Sequence, residues 1–556
     1  MVVGTELEPL FELASLGLLI VALLVSSVVL MRYSQDERPL APLRERLVLG
    51  VPWGTMIVMA LVYAIYLYVQ GGDEWGGPIS VGFRSWSLWY PQGIFFSSFS
   101  HAGKSHVIGN LLGTLAFAPV AEYAWSHYPR QRGSQSFGSW RTNPFARIAI
   151  FVVGVFLVGL AGALLVPGAV IGFSGVVFAF AGFGIVTRPI TTVLAIVGIQ
   201  VVSLLRRAFL TPLEVAVAEP DLVTPSWANT ALQGHLFGLL VGVVLASLLV
   251  QARGKWPDLR HIWFAALVFA VSRSMHALYW YRGADEFLFF RAIGTAGVLV
   301  MASLIALTVL SWEEPLFEAS DMSAGHVALG MLLAVVCALS LVGVGYNLVS
   351  FTPDQGGDGI EVRDYTVTYD EDAENEYISL FEVPIVRESL TVNMSGVIVT
   401  SDERNVWALE TSKETLAQYG GSLVVVGDAG WRETVYVNRT EWALAAKNGN
   451  TNETYKVYGS HDGSRELLYT SEPAIAEPVV NDSRIGVAPT EEFYEVVVAQ
   501  NQSVVDTAPI PGHNETVEVG GIRFVREEQT LYAVHERTKL AVGTYRTNGQ
   551  IETFDS

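Results

Sequence analysis

The chain has 556 residues, 51% hydrophobic and 16% charged, where a soluble protein carries about 25% charged residues. Its net charge of −20 argues against nucleic acid as a partner, because a phosphate backbone calls for cations. The single cysteine, Cys337, excludes an intrachain disulfide and a cysteine-rich metal site, and its apolar surroundings read as plain packing. Residues 1–351 hold 19 acidic and 19 basic side chains, whereas residues 352–556 hold 35 and 15, so the whole imbalance belongs to the C-terminal part. Two explanations fit that acidity and the scarcity of lysine (6 against 28 arginines): adaptation to high salt, or a secreted acidic domain.

The N-terminus, MVVGTELEPLFE, carries Glu6, Glu8 and Glu12 where a signal peptide would be positive, and Arg32 and Arg38 follow the apolar run. That asymmetry predicts a retained helix with its N-terminus outside. A span needs about 20 mostly apolar residues. The candidates are 12–31, 48–70, 104–126, 145–167, 173–188, 190–206, 229–250, 262–281, 287–311 and 325–350. The eighth is interrupted by Arg273 and His276, with Asp285 and Glu286 just beyond. The pattern reads as an internal ion pair or snorkelling at the interface, with a substrate or ion contact as the functional alternative. Arginines and lysines cluster at 32–47, 127–144 and 251–261, which alternation puts on one side, the cytoplasmic one; Arg206 and Arg207 violate the rule mildly. Ten spans leave both termini outside. Sequons at Asn393, Asn438, Asn452, Asn481, Asn501 and Asn514 all follow residue 351, and point the same way as possible glycosylation sites. Val-, Tyr- and Thr-rich segments between Gly, Asn, Asp and Pro predict one or two small β-sandwich-like modules there.

Polar residues inside spans are costly, and so are functional candidates. Three groups stand out: His101, His106 and Asn110; Ser174 between Gly172 and Gly175; and His235 followed by Gly238 and Gly242. His106 and Asn110, four apart, share a helix face. Alternation puts all three groups near the external face. A serine hydroxyl becomes a nucleophile only when a base takes its proton, and His235 is the histidine on an opposing span at that depth. His106, Asn110 and the Ser174 backbone N–H are candidate donors to an oxyanion. Each motif alone also reads as helix packing. A metal at His101 and His106 is disfavoured, since five residues turn the two rings apart on a helix unless His101 lies off it, and no Glu follows in a His-Glu-x-x-His pattern.

In these residues the chain resembles the rhomboid family of intramembrane serine proteases. The family pattern is His-x4-His-x3-Asn opening the second core helix, Gly-x-Ser-Gly opening the fourth, and His-x2-Gly-x3-Gly in the sixth. It is met here by His101/His106/Asn110, Gly172-Phe173-Ser174-Gly175 and His235/Gly238/Gly242, in that order. Glu122 also matches a family position. The resemblance covers residues 48–250. It implies a six-helix core, a Ser174–His235 dyad without a third acid, His106 and Asn110 as oxyanion donors, and a structural His101. Two departures are visible. Phe178 stands where the family has tyrosine stacked on the imidazole, and no clear Trp-Arg pair follows the first core helix.

The expectation is an α-helical polytopic membrane protein of the cell membrane. Its parts are an extra helix and loop (1–47), a rhomboid-like core (48–250), further spans (251–351) and an acidic β-rich extracytoplasmic domain (352–556). The predicted activity is serine endopeptidase cleavage of other proteins' transmembrane segments in the bilayer, without cofactor or metal. The sequence leaves the oligomeric state open. An inactive client-binding relative and a glycosylated surface receptor are the alternatives.

Overall fold

Hydrocarbon offers no partner to a peptide N–H or C=O, so an apolar segment satisfies its own backbone as helix. The protein, seen as a computed structural model, follows that rule. Described are residues 8–33, 41–128, 137–213, 232–281, 287–310, 322–348, 359–374, 393–445, 451–500 and 503–546. The chain forms two units, Met1–Val349 and Ser350–Ser556.

The first unit runs α1 (Glu8–Tyr33), α2 (Ala41–Arg46), α3 (Trp53–Ala64, extended by a π turn at Ile65–Val69), α4 (Pro91–Phe96), α5 (Lys104–Trp125) and α6 (Pro144–Leu165). It continues through α7 (Ser174–Thr187), α8 (Pro189–Leu210), α9 (Leu232–Arg253), α10 (Leu259–Ser272), α11 (Arg291–Leu307) and α12 (Ala324–Leu348). Among the described residues, α1, α5, α6, α8, α9 and α12 are long and apolar enough to cross a membrane. The apolar α3, α7, α10 and α11 are shorter. Each of the ten expected spans carries one of these helices.

Two expectations need correction. The eighth span was expected over 262–281, but its helix ends at Ser272 with Arg273 as cap, and Ser274 takes φ 51°. The chain then enters a hairpin of β1 (Tyr279–Tyr281) and β2 (Phe287–Phe289). Arg273 and His276 therefore lie in a turn beyond the helix. The polar Ser-Arg-Ser run ends the apolar stretch, and the aromatic residues after it favour strand. Asp285 and Glu286 lie outside the described residues. The second correction is Cys337, which is exposed on α12 rather than packed inside the bundle.

At the centre of the bundle is α7, with 10 of its 14 residues buried. Its small residues let neighbours approach backbone to backbone. A Cβ added at Gly238 would lie 2.0 Å from the Gly175 carbonyl oxygen, and one at Gly242 would lie 2.0 Å from that of Ala179. Gly182 returns the contact against Leu239. At 1.5 Å per residue, α7 is about 21 Å long, less than the roughly 30 Å hydrocarbon core. A helix this short leaves one of its ends recessed from the membrane face. On the opposite side from that junction, Glu122 of α5 is fully buried and caps α3, accepting hydrogen bonds from the N–H groups of Gly54 (2.7 Å) and Thr55 (2.8 Å) and from the Thr55 hydroxyl (2.7 Å).

The second unit is β-rich. Sheet one is β3 (Ile360–Val362), β4 (Tyr365–Glu374), β5 (Asn393–Ser401) and β6 (Val406–Ser412), in that order and antiparallel. Helix α13 (Lys413–Tyr419) leads to β7 (Gly421–Asp428) and the long β8 (Trp431–Ala445). Then follow β9 (Thr451–His461), β10 (Ser464–Thr470), β11 (Ala474–Val480), β12 (Ser483–Pro489), β13 (Tyr494–Gln500) and β14 (Ser503–Pro509). The last are β15 (Thr516–Val519), β16 (Ile522–Glu527), β17 (Thr530–His535) and β18 (Thr538–Arg546). The eight-stranded sheet has order β10-β9-β8-β18-β17-β16-β15, with β7 also on β8, and a third sheet is β11-β12-β13-β14. Strand β8 changes partner along its length, because its first half pairs with β7 and its end with β18. Trp442 and Leu444, at that end, share a core with Val487, Val498 and Phe524. Near the other half, Tyr365 is buried and donates to the Gly427 carbonyl. Beside it, burial pushes the Asp364 carboxyl up, but hydrogen bonds and charge from Arg404 outweigh this and hold it below the usual carboxylate range.

Candidate active site

The site begins with a loop, not a helix. Residues 166–173 join α6 to α7, and hydrogen bonds pin them to the segment before α5. The Ser85 N–H donates to the Val170 carbonyl (3.1 Å), the Val170 N–H to the Ser85 hydroxyl (3.1 Å), and the Gly172 N–H to the Ser97 carbonyl (2.8 Å). That segment is closed at its base by buried Gln70, whose amide donates to the carbonyls of Ile79 (2.8 Å) and His101 (3.0 Å) and accepts from the His101 N–H (2.8 Å). Within it, the Arg84 guanidinium lies 5.8 Å from the Trp86 ring centre. Gln70, Ser85 and Ser97 were not singled out in the sequence; isolated polar residues in an aromatic loop carry no periodic signal.

Ser174 is the first residue of α7 and His235 the fourth of α9. The close glycine contacts between these helices bring Ser174 Oγ to 2.8 Å from His235 Nε2. Phe178, one turn further along α7, stacks on the His235 ring at 4.1 Å between centres and 8° between planes. Phe178 is itself held edge-on by Phe269 of α10, 5.1 Å away. His235 Nδ1 is buried without a hydrogen-bond partner among the described residues. Among the described residues the imidazole is thus oriented by a ring and a serine, with no carboxylate behind it.

His106 and Asn110, on α5, come to the same place through Gly172. That residue has φ +122°, and a Cβ there would lie 2.6 Å from His106 Cε1 and 3.6 Å from Asn110 Nδ2. Only glycine suits both the backbone angle and the space. Asn110 Nδ2 is buried and has no partner among the described residues, so it stands as an unused donor beside Gly172, which precedes the serine by two positions. In the first turn of α7 the Val176 and Val177 N–H groups donate to the Phe173 carbonyl (3.1 Å each), whereas those of Ser174 and Gly175, at the helix start, have no intrahelical acceptor. His101 is fully buried, edge-on to His106 at 5.0 Å, and both its ring nitrogens lack partners among the described residues. Ser174, Gly175 and His235 line a cavity of about 310 Å³ with Ser98, Val166 and Gly238. Among the described residues, one trio could hold a metal, Glu433, His461 and Asp462, and it lies on the β-rich unit.

Residues 85–252 match the family model described as Rhomboid domain. No curated protein and no solved structure matches the chain. The matched stretch contains His101, His106, Asn110, Ser174 and His235 and runs from the loop before α4 to the end of α9; α3 precedes it. With its apolar helices, the chain is a multi-pass helical membrane protein. The chain therefore carries a rhomboid domain over residues 85–252, the domain of intramembrane serine proteases and their inactive homologues, whose partners are transmembrane segments of other proteins.

Proposed function

We propose that the protein is an active intramembrane serine endopeptidase. The observation that carries this reading is the 2.8 Å contact between Ser174 Oγ and His235 Nε2 beside a cavity. His235 accepts the Ser174 proton as Oγ bonds to the scissile carbonyl carbon. The negative oxygen of the tetrahedral intermediate meets Asn110 Nδ2, the His106 ring and the N–H of Ser174. Collapse breaks the C–N bond, and His235 Nε2–H protonates the departing amine. Water then attacks the acyl-serine, giving a proton to His235, and the ester C–O bond breaks as His235 Nε2–H returns that proton to Ser174 Oγ, releasing the carboxylic acid and restoring the dyad. Phe178 holds the imbalance-prone imidazole in plane through the cycle, which explains how a dyad without an acid keeps its geometry. Substrates are transmembrane segments that unwind near the recessed end of α7. The β-rich unit lies outside the cytoplasm by the charge bias of the loops, and serves recruitment or regulation. No metal takes part.

The test is labelling by a fluorophosphonate probe in isolated membranes. Wild-type protein is labelled and cleaves a transmembrane reporter; Ser174→Ala does neither while keeping its expression and thermal stability. Labelling or cleavage that persists in Ser174→Ala removes the nucleophile assignment.

A further inference from the structure

At the end of the bundle away from Ser174, three arginines from three separate elements converge on one cavity of about 670 Å³. Arg46 ends α2, Arg188 joins α7 to α8, and Arg253 ends α9. Lys255 and His261 add to the same lining. The ring of Tyr123 is shared, 4.9 Å from the Arg46 guanidinium and 5.2 Å from that of Arg188. Arg253 spends two donors on carbonyls in the last turn of α5, those of Ala124 (2.5 Å) and Trp125 (2.8 Å). None of the three arginines meets a carboxylate at ion-pair distance among the described residues. The one acid in the lining, Asp258, uses Oδ1 to cap α10 through the Arg260 N–H at 2.8 Å.

Cations near a membrane face are ordinary; their convergence is not, because like charges in a partly buried cavity repel. Burial, and then the neighbouring charge of Arg188, push the Arg46 guanidinium below its ordinary value. A second feature points to an anion. Ile190 and Thr191, in the first turn of the 22-residue α8, line the cavity, and Arg188 gives that turn no side-chain cap. First-turn N–H groups have no intrahelical acceptor, and with the helix dipole they make an anion site.

The same cavity adjoins a second one at Leu249. That neighbour, about 480 Å³, is an apolar groove between α6 and α9 lined by Ile150, Val158, Phe180, Leu245 and Leu248. Cations therefore stand where α5, α7 and α9 end, and a groove without polar demand runs along the bundle from there. The combination matches one molecule with a charged phosphate and an apolar chain. We propose that this is a binding site for an anionic phospholipid, the phosphate among Arg46, Arg188 and Arg253 and an acyl chain along the α6–α9 groove. A free phosphate would fill the basic cavity and leave the groove unexplained.

The full chain, purified in a neutral detergent, is titrated with mixed micelles of phosphatidylglycerol or phosphatidylcholine, and retained lipid is counted by native mass spectrometry. Phosphatidylglycerol is expected to bind at one site with at least tenfold preference. Arg46→Gln/Arg188→Gln spares Arg253, which caps α5. It should weaken that binding on the order of 25-fold, about fivefold per cation, while Arg46→Lys/Arg188→Lys keeps most of it. Inorganic phosphate at millimolar concentration should displace none of the lipid. Equal retention of the two lipids by wild-type protein overturns the proposal whether or not the variants fold. So does full retention by the Gln variant, and displacement by inorganic phosphate reduces the site to a phosphate pocket without a lipid.

Discussion

A hydroxyl next to an imidazole does nothing by itself; what matters at Ser174 is which groups surround the pair. His235 has Phe178 against one face and, among the described residues, no partner on Nδ1. Its orientation therefore rests on stacking and on the serine, so the two residues should behave as a unit. Losses from residues acting together are not additive. We expect Ser174→Ala, His235→Ala and the double variant to show the same residual cleavage in a reporter assay. A double variant measurably worse than either single would mean that they act separately. Asn110 is a different case: its Nδ2, without a partner among the described residues, would on the proposed mechanism meet a charge that exists only in the intermediate. Removing one such donor costs about 10²–10³ in rate, roughly 3–4 kcal/mol. With His106 and a backbone N–H sharing the load, Asn110→Ala should fall at or below the lower end, with probe labelling retained. Cleavage at the wild-type rate would make Asn110 structural, a role that its helix position also allows. Glu122 shows the limit of matching a motif: its place was recognised in the sequence, whereas its partners, 67 and 68 residues away, were not.

Among the elements, the contact between α7 and α9 decides the geometry. The glycines at 238 and 242 read in sequence as close-packing spacing, and in the structure each faces a carbonyl of α7 at a distance no Cβ tolerates. Gly242 lies two turns from His235 and touches no proposed catalytic group. Gly242→Val should still disable the enzyme, because the helices must part and Ser174 with them. Overpacking usually costs about 1–3 kcal/mol, and here, against backbone with no room to yield, the loss belongs at the top of that range or above. Thermal unfolding in detergent, measured with probe labelling, checks it; unchanged labelling would show that the dyad does not depend on this contact. The last helix, α12, has a role the sequence did not suggest. Its buried Asn347 donates to the carbonyls of Leu164 and Val166 at the end of α6, and its backbone carbonyl accepts from the Leu88 N–H at 2.8 Å. A helix outside the recognised core thus braces the loop that leads to Ser174.

For the whole molecule, the question is what the β-rich unit does for a site that lies wholly in the other unit. Every proposed catalytic residue precedes Val349, where the first unit ends. Protease added to intact cells should therefore trim the chain to the first unit and leave cleavage of a purified transmembrane substrate intact. A tail protected until lysis would place it in the cytoplasm and change the parity of the spans. Of the sequons, Asn393, Asn481 and Asn514 are exposed, whereas Asn438 is half-buried within β8. Asn452 is exposed but donates its Nδ2 to the Ile475 carbonyl at 3.1 Å, and Asn501 lies outside the described residues. Glycans, where present, belong on the first three, and peptide mapping after deglycosylation reads them directly.

The sequence by itself determined where the apolar helices lie, the β character of the acidic part, and the order of three motifs that match a rhomboid pattern. Those properties are local: hydropathy is set residue by residue, and a motif is a spacing along one chain. It misjudged the eighth span, because a mean over 20 residues hides the short polar run at which the helix ends and a hairpin begins. It misjudged Cys337, because an apolar neighbourhood in sequence does not say whether a side chain meets protein or lipid. What tertiary structure alone decided is who meets whom across long separations. Ser174 and His235, 61 residues apart, come within hydrogen-bond distance because glycines let α7 and α9 touch. The three arginines at the far end share a cavity because α2, the α7–α8 junction and α9 end together. Such meetings depend on the shapes of whole helices and on how they pack, which no local pattern encodes.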